Sequence, residues 1–87
     1  MGMHNRATLD LAVGLVLREL CEERQAPRDE VAAALELTDL GVTRVETGQE
    51  TLSAGGLVLL LHAFKLSWEE FAKRLKAHLP EAEAEIL

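Results

Sequence analysis

The chain of 87 residues has little cysteine, few aromatic residues and no long apolar run. Cys21 is its single cysteine, which excludes an internal disulfide and a zinc site of several thiolates and suits a reducing cytoplasm. Tyrosine is absent, and the aromatic residues are Phe64, Trp68 and Phe71, so aliphatic side chains must build the core. The longest uninterrupted apolar run, Leu57–Leu61, is far too short to span a bilayer. We therefore expect a cytoplasmic protein with no membrane segment.

Positive charge is also scarce, because nine lysines and arginines stand against fifteen acidic residues and give a formal net charge of −6. This balance is not the basic footprint of a typical nucleic-acid-binding protein. Catalytic and metal-binding patterns are missing as well: His4, His62 and His78 lie far apart in the sequence and form no cluster with the cysteine. We expect no enzyme activity, no metal and no cofactor.

Apolar residues make up 48% of the chain, enough for one small globular domain, and they recur at helical spacing. We predict an all-α fold with an N-terminal arm at residues 1–7, the domain at residues 8–79 and a frayed acidic tail at residues 80–87. The five predicted helices are Thr8–Arg24, Arg28–Leu35, Asp39–Thr47, Ala54–Phe64 and a last one that follows Ser67 and ends at Leu79.

Residue types that favour helix ends set these boundaries. Pro80 is predicted to end the fifth helix, because a proline inside a helix removes a hydrogen bond and clashes with the preceding turn. Trp68 and Phe71 are predicted to face the core from that helix. The predicted N-caps are Thr8, Thr38 or Asp39, Ser53 and Ser67, the last in the capping box Ser67-Trp-Glu-Glu70.

Only Glu36–Thr38 join the second and third helices, and a link that short leaves two helices steeply crossed, as in a helix-turn-helix unit. The residues around this link are Arg28-Asp-Glu-Val-Ala32, Val42-Thr-Arg-Val-Glu46-Thr-Gly48, and further on Leu57, Leu60, Ala63-Phe64, Ser67 and Phe71. Over about residues 13–73, this pattern resembles the lambda-repressor-like, or Xre-type, helix-turn-helix domain.

The resemblance implies a five-helix lambda-repressor-like domain that binds double-stranded DNA as a transcriptional regulator, usually as a dimer on a two-fold operator. By position in the family, Asp39, Leu40 and Arg44 match residues that reach base edges. Thr38 and Thr43 match positions near the backbone or the bases. The positions that match phosphate contacts are Arg28, Gln49 and Thr51. Four of the assignments have alternatives: a helix cap for Asp39, a protein contact for Leu40, an ion pair with Glu46 or Glu50 for Arg44, and a solvated position in the first turn for Arg28.

The sequence departs from the family pattern at two positions. Family members often have glycine where Glu36 stands, and often an arginine where Cys21 stands, paired with the acid at Glu46. Glu46 must therefore find another partner or stay solvated. Residues 28–50 hold two arginines and six acidic residues, a net charge of −4. A protein-interaction module on the same fold, antitoxin-like or anti-regulator, is the alternative function.

Surplus apolar residues on the first and fourth helices predict a homodimer interface, because exposed aliphatic patches mark contact surfaces. The alternative is a wider core within one chain. The residues assigned to the interface are Leu11, Leu15, Val58 and Leu59.

Overall fold

The protein is all-α over the residues that its computed structural model describes, which are 5–86, with the side chains of 5–85. His4 and most of the predicted N-terminal arm lie outside that range. The helices are α1 (Arg6–Arg24), α2 (Arg28–Leu35), α3 (Asp39–Glu46), α4 (Ala54–Ala63) and α5 (Trp68–Ile86). No strand occurs between residues 5 and 86, and none of the helices described there is long and apolar enough to cross a membrane.

Side-chain caps fix where the helices begin. The hydroxyls of Thr38, Ser53 and Ser67 each accept a hydrogen bond of 3.0 Å from the backbone amide three residues later, which satisfies a donor that the first helical turn leaves open. The predicted cap at Thr8 is wrong: the Asn5 side chain accepts from the Thr8 amide at 2.9 Å, and Thr8 is buried inside α1. Arg6 therefore belongs to α1 and not to an arm.

The main core lies where α1 meets α2, α3, α4 and the start of α5, and it is mostly aliphatic, as predicted. Its buried members include Val16, Leu17, Leu20, Val31, Leu35, Val42, Val45, Leu60, Phe64 and Phe71. Trp68 was predicted to face this core, but it is 58% exposed. It is the first residue of α5, and the helix turns Phe71 inward in its place.

The fifth helix corrects the sequence prediction most clearly. It continues through Pro80 to Ile86, so the predicted end at Leu79 is wrong and residues 81–86 are helical where the sequence predicted fraying. Ala82, fully buried, packs with Leu11 and Leu15 of α1 in a second apolar cluster. This packing offsets the unfavourable proline, which is exposed on the outer side of the helix. Leu11 and Leu15 are thus core residues of one chain and not a dimer interface.

Charged residues join α5 to α1 beside this cluster. The Arg74 guanidinium donates hydrogen bonds to the carboxylates of Glu19, at 2.9 Å, and Glu23, at 2.9 and 3.0 Å. Its Nε lies 3.3 Å from Glu70 without hydrogen-bond alignment, so Glu70 does not reach back to its own helix start as a capping box requires. His78 lies 3.3 Å from Glu19. These contacts hold the middle of α5 against the C-terminal part of α1.

Two glycines bring α1 close to α3. A Cβ on Gly14 would overlap the carbonyl oxygen of Val45 and come within 2.8 Å of the carbonyl oxygen of Glu46. Gly48, just after α3, has φ +77°, and a Cβ there would lie 3.0 Å from the Cα of Leu11. Since both positions exclude a side chain, the C-terminal end of α3 is fixed against the backbone of α1.

Candidate nucleic-acid interface

The turn between α2 and α3 is short and tightly hydrogen-bonded. Glu36 has a left-handed φ of 57°, and the Leu37 amide donates to the carbonyl oxygen of Ala32 at 2.8 Å. This backbone conformation favours glycine, which gives a physical reason for the family's preference at that position. Leu37 is half-buried and packs on the core, and Thr38 then caps α3.

Helix α3 has one buried face and one exposed face. Gly41, Val42, Val45 and Glu46 are buried towards the core. The opposite side carries exposed residues, and all the α3 residues assigned from the sequence are among them: Asp39, Leu40, Thr43 and Arg44. Leu40 is 57% exposed, unusual for a leucine in a small domain. The outward face of α3 is therefore accessible in the single chain.

Arg28 is the partner of Glu46. Its Nη2 donates to the Glu46 carboxylate at 2.9 Å, and its Nη1 donates to the Thr43 hydroxyl at 3.4 Å. The hydrogen bond and charge of Glu46 raise the pKa of Arg28 above its ordinary value. The Glu46 side chain is 11% exposed, whereas the Arg28 side chain is 47% exposed. The pair thus ties the start of α2 to α3 and leaves part of the guanidinium open to solvent.

Arg44 makes neither of the ion pairs that the sequence left open. Its side chain has no hydrogen bond or ion pair with any residue in the described range 5–86. The amides of Gln49 and Glu50 donate instead to its carbonyl oxygen, at 2.8 and 3.2 Å. The guanidinium is exposed beside Leu40 on the outward face, so its donors are available to a ligand.

The loop after α3 is less suited to an anion than the resemblance implies. Gln49 is exposed, but the Thr51 hydroxyl donates to the Asp10 carboxylate at 2.8 Å. That contact places the negatively charged Asp10 of α1 beside Thr51, which was predicted to contact phosphate. No sequence signal pointed to Asp10, because the two residues are 41 positions apart and only the packing of α1 on the loop brings them together.

Cys21 is half-buried near Glu46, and burial together with the Glu46 charge raises the pKa of its thiol above the ordinary value. It packs as a small apolar residue at the edge of the main core, as predicted. Between residues 5 and 86, no group of three or more histidine, cysteine or acidic side chains is close enough to hold a metal ion.

Comparisons with known protein families, with curated proteins and with solved structures find no match to this chain.

Proposed function

We propose that this chain is a sequence-selective DNA-binding transcriptional regulator of the lambda-repressor-like helix-turn-helix class. The observation that supports this best is the exposed outward face of α3, which carries Leu40 and Arg44 on a helix that follows a three-residue turn, while the opposite face is buried. A short helix held this way has the form that enters a major groove.

Each assigned residue has a distinct role in this proposal. Arg44 reads guanine through two parallel hydrogen bonds, and Leu40 contacts a thymine methyl group. Thr43 and Asp39 lie beside them on α3. Arg28 contacts a phosphate with the donors that Glu46 leaves free. Contacts from Thr38, Gln49 and Thr51 to the DNA backbone fix the position of the protein on the duplex. The contact from Thr51 is weakened, because its hydroxyl donates a hydrogen bond to Asp10.

The low positive charge requires a dimer. Neutralised phosphates supply most non-specific affinity, and the α2–α3 surface offers only Arg28 and Arg44 against six acidic residues. Two copies would place their recognition helices about 34 Å apart, one turn of DNA. Of the residues assigned to the dimer interface, Val58 is 42% exposed and Leu59 is half-buried, so α4 is the helix that still offers a contact surface.

The test is selection of bound sequences from a random duplex pool, followed by titration at low and moderate salt. A regulator selects a two-fold site, and Arg44→Ala weakens binding to that site by about 1–3 kcal/mol and relaxes the base preference. Arg18→Ala, which removes the same charge from α1, is the matched control and leaves the preference unchanged. Failure to select any sequence at either salt concentration refutes the proposal.

A protein-interaction module is the second candidate. It is favoured by the net charge of −4 over residues 28–50 and by the Asp10 carboxylate on Thr51. Such a module would bind duplexes without sequence preference and release them by moderate salt, since only screened charge attraction would hold them.

A further inference from the structure

A groove of about 550 Å³ opens beside α3, between the α2–α3 turn and the start of α4. Leu37, Leu52 and Leu59 line it; each packs on the main core and stays partly exposed. Its volume lies in the range of ordinary ligand sites, about 300–1,000 Å³. The groove therefore offers a mixed surface, in which the three leucines lie among polar residues such as Thr51 and Ser53.

The rim of this groove carries negative charge. Among the residues whose side chains the structure describes, Glu36 and Glu50 are the charged ones that line it, and both are exposed. Neither carboxylate has a hydrogen bond or ion pair with another residue of the described part of the chain. The left-handed backbone at Glu36 is fixed by the hydrogen bonds of the turn, so this acid has a defined position. Carboxylates here repel a phosphate and attract a lysine or an arginine.

Gly55 leaves the groove open at the first turn of α4. A Cβ at this position would meet nothing nearer than the Ser53 hydroxyl, at 4.0 Å. Glycine favours a helix less than alanine does, and the packing of the single chain gives no reason for it. Bare backbone at this edge lets another chain approach closely.

We propose that this groove binds a short basic amphipathic segment of a partner protein. An apolar side chain of the segment packs on the three leucines, and its lysines or arginines pair with Glu36 and Glu50. The charge complementarity favours this occupant over nucleic acid, because no cation among the described residues 5–85 lines the groove.

Thr51 and Leu59, which the proposed DNA-backbone and dimer contacts also use, line this groove. The exposed α3 residues Leu40 and Arg44 do not line it, so Arg44→Ala can lose its base preference and still bind the peptides, and the two proposals can fail separately.

The test uses short random peptides displayed on phage and selected on the whole chain, and then the enriched sequences as labelled synthetic peptides. Enriched peptides should carry lysine or arginine next to apolar residues. Gly55→Leu fills the groove from an open Cβ position and favours the helix, so it stays folded and should lower peptide affinity at least tenfold.

Replacing the two glutamates at the rim by glutamine tests how much their charge contributes to peptide affinity, apart from the shape of the groove. The double variant E36Q/E50Q should weaken the peptides several-fold, most strongly at low salt, while E69Q/E85Q, the same change outside the groove, should have no effect. Circular dichroism and thermal unfolding verify that each variant is folded.

Three outcomes overturn the proposal. The first is enrichment without a basic bias, and the second is equal peptide binding by Gly55→Leu and the unmodified chain. The third is evidence that the groove binds something other than a peptide. Gly55→Leu would then convert a dimer to a monomer, or abolish duplex binding, and would leave peptide binding unchanged.

Discussion

The contact between α1 and α3 at Gly14 makes a sharp prediction about stability. Replacing glycine by alanine inside a helix normally stabilises a protein by up to about 1 kcal/mol. At Gly14 the added methyl would overlap the carbonyl oxygen of Val45 and press on that of Glu46. These are backbone atoms that cannot rotate away, so α1 has to move off α3. Overpacking of this kind costs about 1–3 kcal/mol, and we expect Gly14→Ala to lower the unfolding free energy by about 2 kcal/mol.

The matched control is Gly55→Ala, the same substitution in a helix where the new Cβ meets open space. It should raise the unfolding free energy by up to about 1 kcal/mol. For a domain of this size, 1 kcal/mol shifts the melting temperature by about 4–8 °C. Relative to the unmodified protein, Gly14→Ala should therefore have a lower melting temperature in calorimetry and a lower urea midpoint. Gly55→Ala should have higher values of both. If the melting temperature of Gly14→Ala equalled or exceeded that of the unmodified chain, α1 and α3 would not be in this close contact.

The remaining predictions concern how α5 is held on α1. Leu15→Ala should lower the unfolding free energy in urea by about 2–4 kcal/mol, whereas Val58→Ala should stay within about 0.5 kcal/mol; similar small effects would mean that Leu15 is not buried in one chain. Pro80→Ala should raise the melting temperature because it restores an amide and removes a clash inside α5, and a lower value would argue against a continuous helix. The Arg74 hydrogen bonds lower the pKa of Glu23 below its ordinary 4.5, so their stabilisation is complete above that pH and is lost as the pH falls through the lower native value. Arg74→Met should flatten this loss when urea midpoints are followed from neutral to acidic pH, and an unchanged profile would show that the pair does not form.

The helix ends were predictable where their chemistry is local. The α2 limits, Arg28 and Leu35, agree with the prediction, and the Thr38 and Ser53 caps form as predicted. A capping hydroxyl and its amide are three residues apart, so the pattern is visible in a short window. The inward positions of Val42 and Val45 likewise followed from helical periodicity.

Contacts between distant segments were not predictable in the same way. Glu46 needed a partner, but nothing in the sequence favoured Arg28 over other cations or over solvent. The rule that proline ends a helix failed at Pro80, because the buried packing of Ala82 on α1 outweighs a local preference. The same packing turned Leu15 from a predicted interface residue into a core residue.

The order and approximate limits of the five helices, the aliphatic core and the outward face of α3 were determined by the sequence, since periodicity and capping act over a few residues. Tertiary structure decided where α5 ends, which cation neutralises Glu46, and that Asp10 lies against Thr51. Those outcomes depend on which surfaces meet after the helices pack, and the free energy of that packing exceeds the local preferences it overrides.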